Sequence, residues 1–156
     1  MAINIGDKIP EFLGFDQNGQ EFHRADFPGK KWIVYFYPKD NTPGCTAEAC
    51  SLRDEYSEIK ALGYEIVGIS VDKQAAHQKF IAAKQLPFTL IADEEHKMVE
   101  LFGVWGEKKF MGKQFMGTLR TTFIADENGV VTHILTPKQI KTSIHAQQLL
   151  EIIKQA

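Results

Sequence analysis

The alternation of apolar and polar positions divides the chain into short strands and amphipathic helices. Phe12 to Phe15 and Gln20 to His23 flank Asp16-Gln17-Asn18-Gly19, where Asn-Gly favours a tight reversal, so the chain is expected to open with a β-hairpin. Phe27-Pro28-Gly29-Lys30 then interrupts the pattern. The next run, Lys31 to Tyr37, is aromatic and β-branched on both faces, as a strand in the middle of a sheet would be. Pro38 ends it. From about Cys45 to Leu62 the apolar positions Ala49, Leu52, Tyr56, Ile59 and Leu62 recur at helical spacing, and Gly63 is placed to stop the helix. A strand follows from Tyr64 to Val71. A helix capped by Asp72 then runs to about Gln85, with Ala76, Phe80 and Ala83 on its stripe.

After Pro87 a short strand spans Phe88 to Ile91, and Asp93 caps a helix reaching about Phe102. Residues 103 to 119, rich in Gly, Lys, Met and aromatics, read as irregular. Arg120 to Ala125 and Val130 to Thr136 form a hairpin across Asp126-Glu127-Asn128-Gly129, and a last helix runs from near Thr142 to the C-terminus. Strands alternating with helices, then a hairpin and a final helix, predict an α/β architecture. A central mixed sheet would be flanked by helices, with the first hairpin as an N-terminal extension. The thioredoxin-like arrangement belongs to this class.

Composition narrows the functional classes. The 156 residues show no linker, repeat or low-complexity segment, so residues 1–156 are read as one domain. Eighteen basic against twenty acidic residues, net −2, leave no global positive field for a nucleic-acid backbone. The longest apolar run, Trp32 to Tyr37, is far short of the ~20 residues a membrane span needs. The N-terminus has neither a basic nor an apolar signal region, and a cytoplasmic location is expected. Two cysteines are too few for a disulfide scaffold.

Those cysteines carry the most specific signal. Cys45 falls at the opening turn of a helix just after a central strand, where unpaired N–H groups favour a thiolate, the nucleophilic form. Thr42, three residues earlier, offers a hydroxyl, and Pro38 closes the strand with no N–H to compete for the site. Cys50 lies five residues after Cys45. In an intact helix that spacing gives a rise of about 7.5 Å and a rotation of about 140°, hence a Cα separation of roughly 8.7 Å. A disulfide requires less than ~7 Å. The pair therefore bridges only if the helix opens. Two buried, inert cysteines are the bland alternative. A zinc site or a thioredoxin-type dithiol would want other spacings.

Pro38, Thr42 and Cys45 together match PxxxTxxC, and the segment resembles the peroxiredoxin signature. With Cys50, it is similar to the peroxiredoxin Q, or bacterioferritin-comigratory, branch. The likeness extends to Val34-Tyr35-Phe36-Tyr37-Pro38-Lys39, Gly68-Ile69-Ser70, Phe102 to Lys108 and Met111-Gly112-Lys113. The resemblance implies a peroxidase acting on hydrogen peroxide and organic hydroperoxides. Cys45 would be peroxidatic and Cys50 resolving, and thioredoxin or a similar dithiol would reduce their disulfide. It carries an arginine onto Arg120, which would hold the thiolate and the peroxide, with Thr42 bonding the peroxide and Glu48 orienting Arg120. It implies no metal, haem or flavin, and a monomer, with a weak dimer as the alternative.

Smaller expectations concern other side chains. Trp105, Phe110, Met111, Phe115 and Met116 form either an apolar collar near the site or an edge of the core. The five histidines, His23, His77, His96, His133 and His145, read as surface or core residues without ligand spacing. Lys108-Lys109 reads as a solvated turn, and Lys39 and Asp40 as facing solvent or shaping the loop. A protein-disulfide oxidoreductase and a redox-sensing holdase are the competing functional readings.

Overall fold

The computed structural model describes residues 2–155, apart from the side chain of Phe110. In chain order the strands are β1 (Phe12–Phe15), β2 (Glu21–His23), β3 (Lys31–Phe36), β4 (Tyr64–Ser70), β5 (Thr89–Ala92), β6 (Trp105–Phe110), β7 (Lys113–Thr118), β8 (Thr121–Ala125) and β9 (Val131–Leu135). The helices are α1 (Pro43–Asp54), α2 (Tyr56–Ala61), α3 (Gln74–Lys84), α4 (Lys97–Leu101) and α5 (His145–Lys154). A five-stranded sheet has the order β5-β4-β3-β8-β9. Strands β3, β4 and β5 run parallel, while β8 is antiparallel to β3 and β9 to β8. This mixed sheet, with helices packed on it and the β1–β2 hairpin beside β5, is the thioredoxin-like arrangement expected from the sequence.

The two-faced apolar run of β3 explains its central place. Ile33, Tyr35 and Tyr37 face one core with Ala49 and Leu52 of α1, Phe80 of α3 and Leu149 of α5. Trp32, Val34 and Phe36 face the other, with Leu13, Val67, Val99, Phe102 and Phe123. A strand buried on both faces needs apolar residues throughout. The pairing of Phe36 with Thr121 brings the start of β8 beside the end of β3. Arg120, just ahead of β8, is thereby delivered to the loop that follows β3.

Several expectations are corrected. The helix expected over 45–62 begins at Pro43, a favoured first helical position, and breaks at Glu55 into α1 and α2. No glycine or proline marks the break. Tertiary bonds pull on either side of it, from Arg53 Nη1 to the Lys84 carbonyl at 2.8 Å and from the Tyr56 hydroxyl to Glu65 at 2.7 Å.

Residues 103–119 are not irregular. They contain the β6–β7 hairpin, turned by Met111 and Gly112 at φ 52° and 79°, as a two-residue primed turn requires. The hairpin stands outside the main sheet and Met111, Phe115 and Met116 are exposed, so no burial pattern revealed it. Their exposure excludes a core edge. Trp105 packs against the second core, and the Phe110 side chain lies outside the described residues.

Asp72 does not cap α3, whose N-cap is Lys73; its carboxylate serves the loop after β3 instead. Asp93 does accept bonds from the Met98 and Val99 N–H groups of α4, although the N-cap position is His96. The last helix opens as a 3-10 turn over Thr142–Ile144 before α5.

Gly68 is a point of close approach on β4: a Cβ there would lie 2.7 Å from Leu90 Cδ2 and 2.9 Å from the Tyr35 ring. Gly68→Ala should destabilise the fold by about 1–3 kcal/mol through overpacking, read as a lower urea midpoint at unchanged slope.

Candidate active site

The chain leaves β3 after Phe36, two residues before Pro38, and enters α1 at Pro43, and Asp40 fixes this short loop. Asp40 is buried rather than facing solvent. It accepts the Tyr37 hydroxyl at 2.5 Å and pairs with His77 Nδ1 at 2.6 Å, while its own N–H donates to Asp72 Oδ2 at 2.8 Å. Ser70 Oγ donates to the same Asp72 oxygen at 2.7 Å. His77, fully buried on α3, donates from Nε2 to the Ile91 carbonyl at 2.8 Å. Ligand atoms of Asp40, Asp72 and His77 lie within 4.8 Å of one another, close enough for a metal. Their oxygens and nitrogens are instead engaged in these bonds, which tie the loop to β4, β5 and α3.

Thr42 is the N-cap residue of α1, with extended φ/ψ of −89° and 157°. Its hydroxyl donates to the Lys39 carbonyl at 2.9 Å, leaving the oxygen's lone pairs free to accept. The Thr46 N–H bonds to the Thr42 carbonyl at 2.8 Å and begins the helical ladder. The N–H groups of Gly44 and Cys45 precede that bond and carry the positive end of the helix. Cys45, the third residue of α1, is 1% exposed.

Arg120 bridges two acidic partners. Nη2 points at Cys45 Sγ at 3.5 Å, and Nη1 donates to Glu48 Oε1 at 2.6 Å. Gly44 permits this approach, since a Cβ there would lie 3.2 Å from Nη2. Burial opposes the charge of Arg120, but Glu48 and Cys45 beside it more than offset that and raise its pKa above the usual arginine range. Glu48 is fully buried. Burial pushes its pKa up to about 7, with Arg120 pulling the other way.

Three further groups reach this cluster. His145, fully buried at the start of α5, accepts or donates at Nε2 to Thr122 Oγ1 at 2.8 Å and lies 3.7 Å from Glu48 Oε2. Burial pushes its pKa down to about 4. Tyr35 is buried beneath the site, and its phenol is pushed well above its usual pKa by burial and then by Glu48 and Cys45. Lys108, expected in a solvated turn, is half-buried on β6, its Nζ donating to the Thr118 carbonyl at 3.0 Å. Burial lowers its pKa, and Arg120 adds to that.

The structure thus joins Cys45, Glu48 and Arg120 by direct contacts. Thr42 and Pro38 shape the loop at the mouth of the helix, and Cys50 lies half-buried on the same unbroken helix, both thiols free. His77, His145, Asp40 and Lys108 were not singled out for the site by sequence. The histidines had a readable signal: each is a polar member of a buried helical stripe, His77 with Phe80 and His145 with Leu149 and Ile153. An imidazole at such a position needs a partner.

The chain is similar to known proteins over nearly its whole length. The AhpC/TSA family model matches residues 5–134. Peroxiredoxin Bcp of Escherichia coli K12 is 43% identical over 153 residues, covering 98% of this chain and 97% of that protein. Peroxiredoxin Bcp of Bacillus subtilis is 41% identical, covering 99% and 97%. Among solved structures, the Xanthomonas campestris bacterioferritin comigratory protein, described for its alkyl peroxide reduction activity, superposes with a TM-score of 0.83 at 29% identity, covering 96% and 98%. BcpB of Mycobacterium tuberculosis gives 0.85 at 28% identity, covering 98% and 97%. No helix among the described residues is long and apolar enough to cross a membrane.

The shifts of Glu48 and His145 act on stability in opposite senses. A carboxyl raised from 4.5 to about 7 makes the folded state bind the extra proton, so its contribution falls as pH rises through that window. A histidine lowered from 6.5 to about 4 makes the unfolded state bind it, so stability is lost as pH falls below 6.5. His145→Gln should therefore gain about 2 kcal/mol relative to the parent protein between pH 7 and pH 5, read from urea midpoints at the two pH values. Parallel pH profiles for the two proteins would refute this account.

Proposed function

The chain belongs to the AhpC/TSA family, and on that premise we propose that it is a thiol peroxidase that reduces hydrogen peroxide and organic hydroperoxides at Cys45. The observation that carries this reading is the buried sulfur 3.5 Å from a guanidinium that is itself anchored on Glu48. A thiolate needs a nearby positive charge, and an O–O bond breaking heterolytically needs a donor where the leaving oxygen becomes negative. Arg120 meets both needs with one fork, which a lysine could not. The free N–H groups of Gly44 and Cys45 add donors on the helix side. Thr42, whose hydroxyl hydrogen is committed to the Lys39 carbonyl, offers an acceptor for the hydroperoxide O–H.

In this reading the Cys45 thiolate attacks the terminal peroxide oxygen. The S–O bond forms as the O–O bond breaks, and the leaving oxygen departs as water or an alcohol once protonated. Cys50 then attacks the sulfenic sulfur, giving the Cys45–Cys50 disulfide and one water. A dithiol such as thioredoxin restores both thiols by exchange. Both cysteines lie on one helix, so a monomer suffices for the cycle, with a weak dimer as the alternative, and a cytoplasmic location suits a dithiol reductant.

The disulfide step requires the first turns of α1 to open, because an intact helix keeps residues five apart too far from each other. Oxidation itself loosens that segment. A neutral sulfenic acid gives up the charge-assisted contact with Arg120 that helps seat Cys45.

Cys45→Ser should abolish peroxide consumption in a coupled assay with thioredoxin and thioredoxin reductase. Cys50→Ser should complete one turnover and accumulate an oxygen adduct on Cys45, seen by mass. Retained turnover in Cys45→Ser would overturn the assignment. Far-UV circular dichroism should report less helix in the disulfide form than in the reduced form, and equal helix content would exclude the opening of α1.

A further inference from the structure

The two oxygens of Glu48 have unlike surroundings. Oε1 accepts from Arg120 at 2.6 Å, whereas Oε2 is buried with no hydrogen-bond partner among the described residues. His145 Nε2 lies 3.7 Å from Oε2. What His145 presents there follows from its other contacts. Gln148 Nε2 donates to the Gln139 carbonyl at 2.8 Å, so its Oε1 is the atom facing the Lys141 N–H and His145 Nδ1, both at 3.1 Å. An amide oxygen only accepts, so Nδ1 carries the imidazole hydrogen and Nε2 of the neutral ring is a lone pair. Thr122 Oγ1 donates to it at 2.8 Å.

A lone pair facing an ionised carboxylate oxygen repels it. That lone pair is taken by the Thr122 hydroxyl, so at 3.7 Å His145 gives Oε2 no donor, and nothing on that side compensates a charge on the oxygen. On its other side, Glu48 shares one guanidinium with Cys45. Two anions beside a single cation leave a buried net negative charge, which low-dielectric surroundings resist.

Other charged and titratable groups do not change that balance. Tyr35, from β3, is held neutral by burial. Lys108, from β6, adds positive potential towards Cys45, but its ammonium is bonded to the Thr118 carbonyl rather than to Glu48.

We propose that the Cys45 sulfur and the Glu48 carboxyl hold a single proton between them across Arg120, and that His145 is the positioning residue whose Nε2, with no hydrogen to donate, disfavours the ionised Glu48 carboxylate. The proposal rests on the reading of Cys45 as the nucleophile and adds the source of the proton. Two microstates share that proton, thiolate with carboxylic acid and thiol with carboxylate, and they titrate as a pair. The raised pKa of Glu48 agrees with the first. The oxidation step then balances inside the site: Cys45–S⁻, ROOH and Glu48–COOH give Cys45–SOH, ROH and Glu48–COO⁻. The sulfur supplies the electron pair of the new S–O bond, the O–O pair leaves on RO, and the proton ROH gains equals the one Glu48 gives up. Were Glu48 ionised throughout, each thiolate oxidised would take one proton from bulk water.

The test counts that proton. Cys50→Ser protein, which stops at the sulfenic acid, is mixed with one equivalent of hydrogen peroxide in weakly buffered indicator dye near neutral pH. The oxygen adduct on Cys45 is measured by mass. Close to zero protons per adduct are expected, against about one in Cys50→Ser/Glu48→Gln and an intermediate value in Cys50→Ser/His145→Gln. Uptake of about one proton with Glu48 present overturns the proposal, as does equal uptake with and without it.

Infrared difference spectra serve where Glu48→Gln fails to fold or no adduct forms. Alkylating Cys45 with iodoacetamide in the Cys50→Ser protein removes its charge and should abolish a carboxylic C=O band that His145→Gln shifts. Absence of that band in the reduced protein overturns the proposal. Absence of the adduct alone overturns the peroxidase reading.

Discussion

The site depends on one guanidinium lodged between a sulfur and a carboxylate in a nearly dry setting. Arg120 is 18% exposed and Glu48 not at all, so their 2.6 Å contact is screened little by solvent. A pair of this kind is poor as a source of net stability, because desolvating both charges offsets most of their attraction. Its value is geometric. The planar fork, fixed on Glu48 at one nitrogen, has its second nitrogen directed at Cys45 Sγ. Remove the carboxylate, and that direction is no longer specified.

The fold earns this geometry through the antiparallel junction of β3 and β8 in a mixed sheet. Had β8 run parallel to β3, its start would lie at the opposite end of the sheet from the Cys45 loop. Instead Thr121 pairs with Phe36, and the residue before it meets the helix that the residues after Phe36 begin. Gly44 completes the fit, because a side chain there would press on the guanidinium. Behind Glu48, α5 covers the carboxylate. The Ala146 N–H donates to Ser51 Oγ at 2.9 Å, docking α5 on α1 and bringing His145 to the rear of the carboxylate.

What could be read from sequence was local, and what could not was tertiary. The apolar run of β3, Pro38, and a cysteine at a helix start are decided within a few residues, so their pattern survives in one dimension. Cys45, Thr42 and Cys50 were legible for that reason. Arg120 was legible only through family resemblance, because nothing in the residues around it signals a partner 75 positions away. The break at Glu55 and the β6–β7 hairpin escaped notice because tertiary bonds set the first and the second has no buried face. Asp72 was misread for a related reason. An aspartate beside a helix start is usually a cap, whereas this one joins Asp40 in a network spanning β4, α3 and the loop.

That network separates two demands that otherwise conflict. In the proposed mechanism, catalysis at Cys45 asks for a rigid donor set, while a Cys45–Cys50 bond asks for a helix that opens. The loop before the helix is held by Asp40 through Tyr37, His77 and the Asp72 carboxylate, none of which belongs to α1. Arg120 and Glu48 are held from β8 and α1, with His145 behind them. The first turn of α1 has lighter ties: the Thr46–Thr42 bond, and the contact between Cys45 and Arg120. Of these, the second depends on charge at the sulfur, which oxidation removes. The loop anchor does not depend on that charge, so the opening proposed for the turn would take place against a fixed loop, with Thr42 as the boundary between the two.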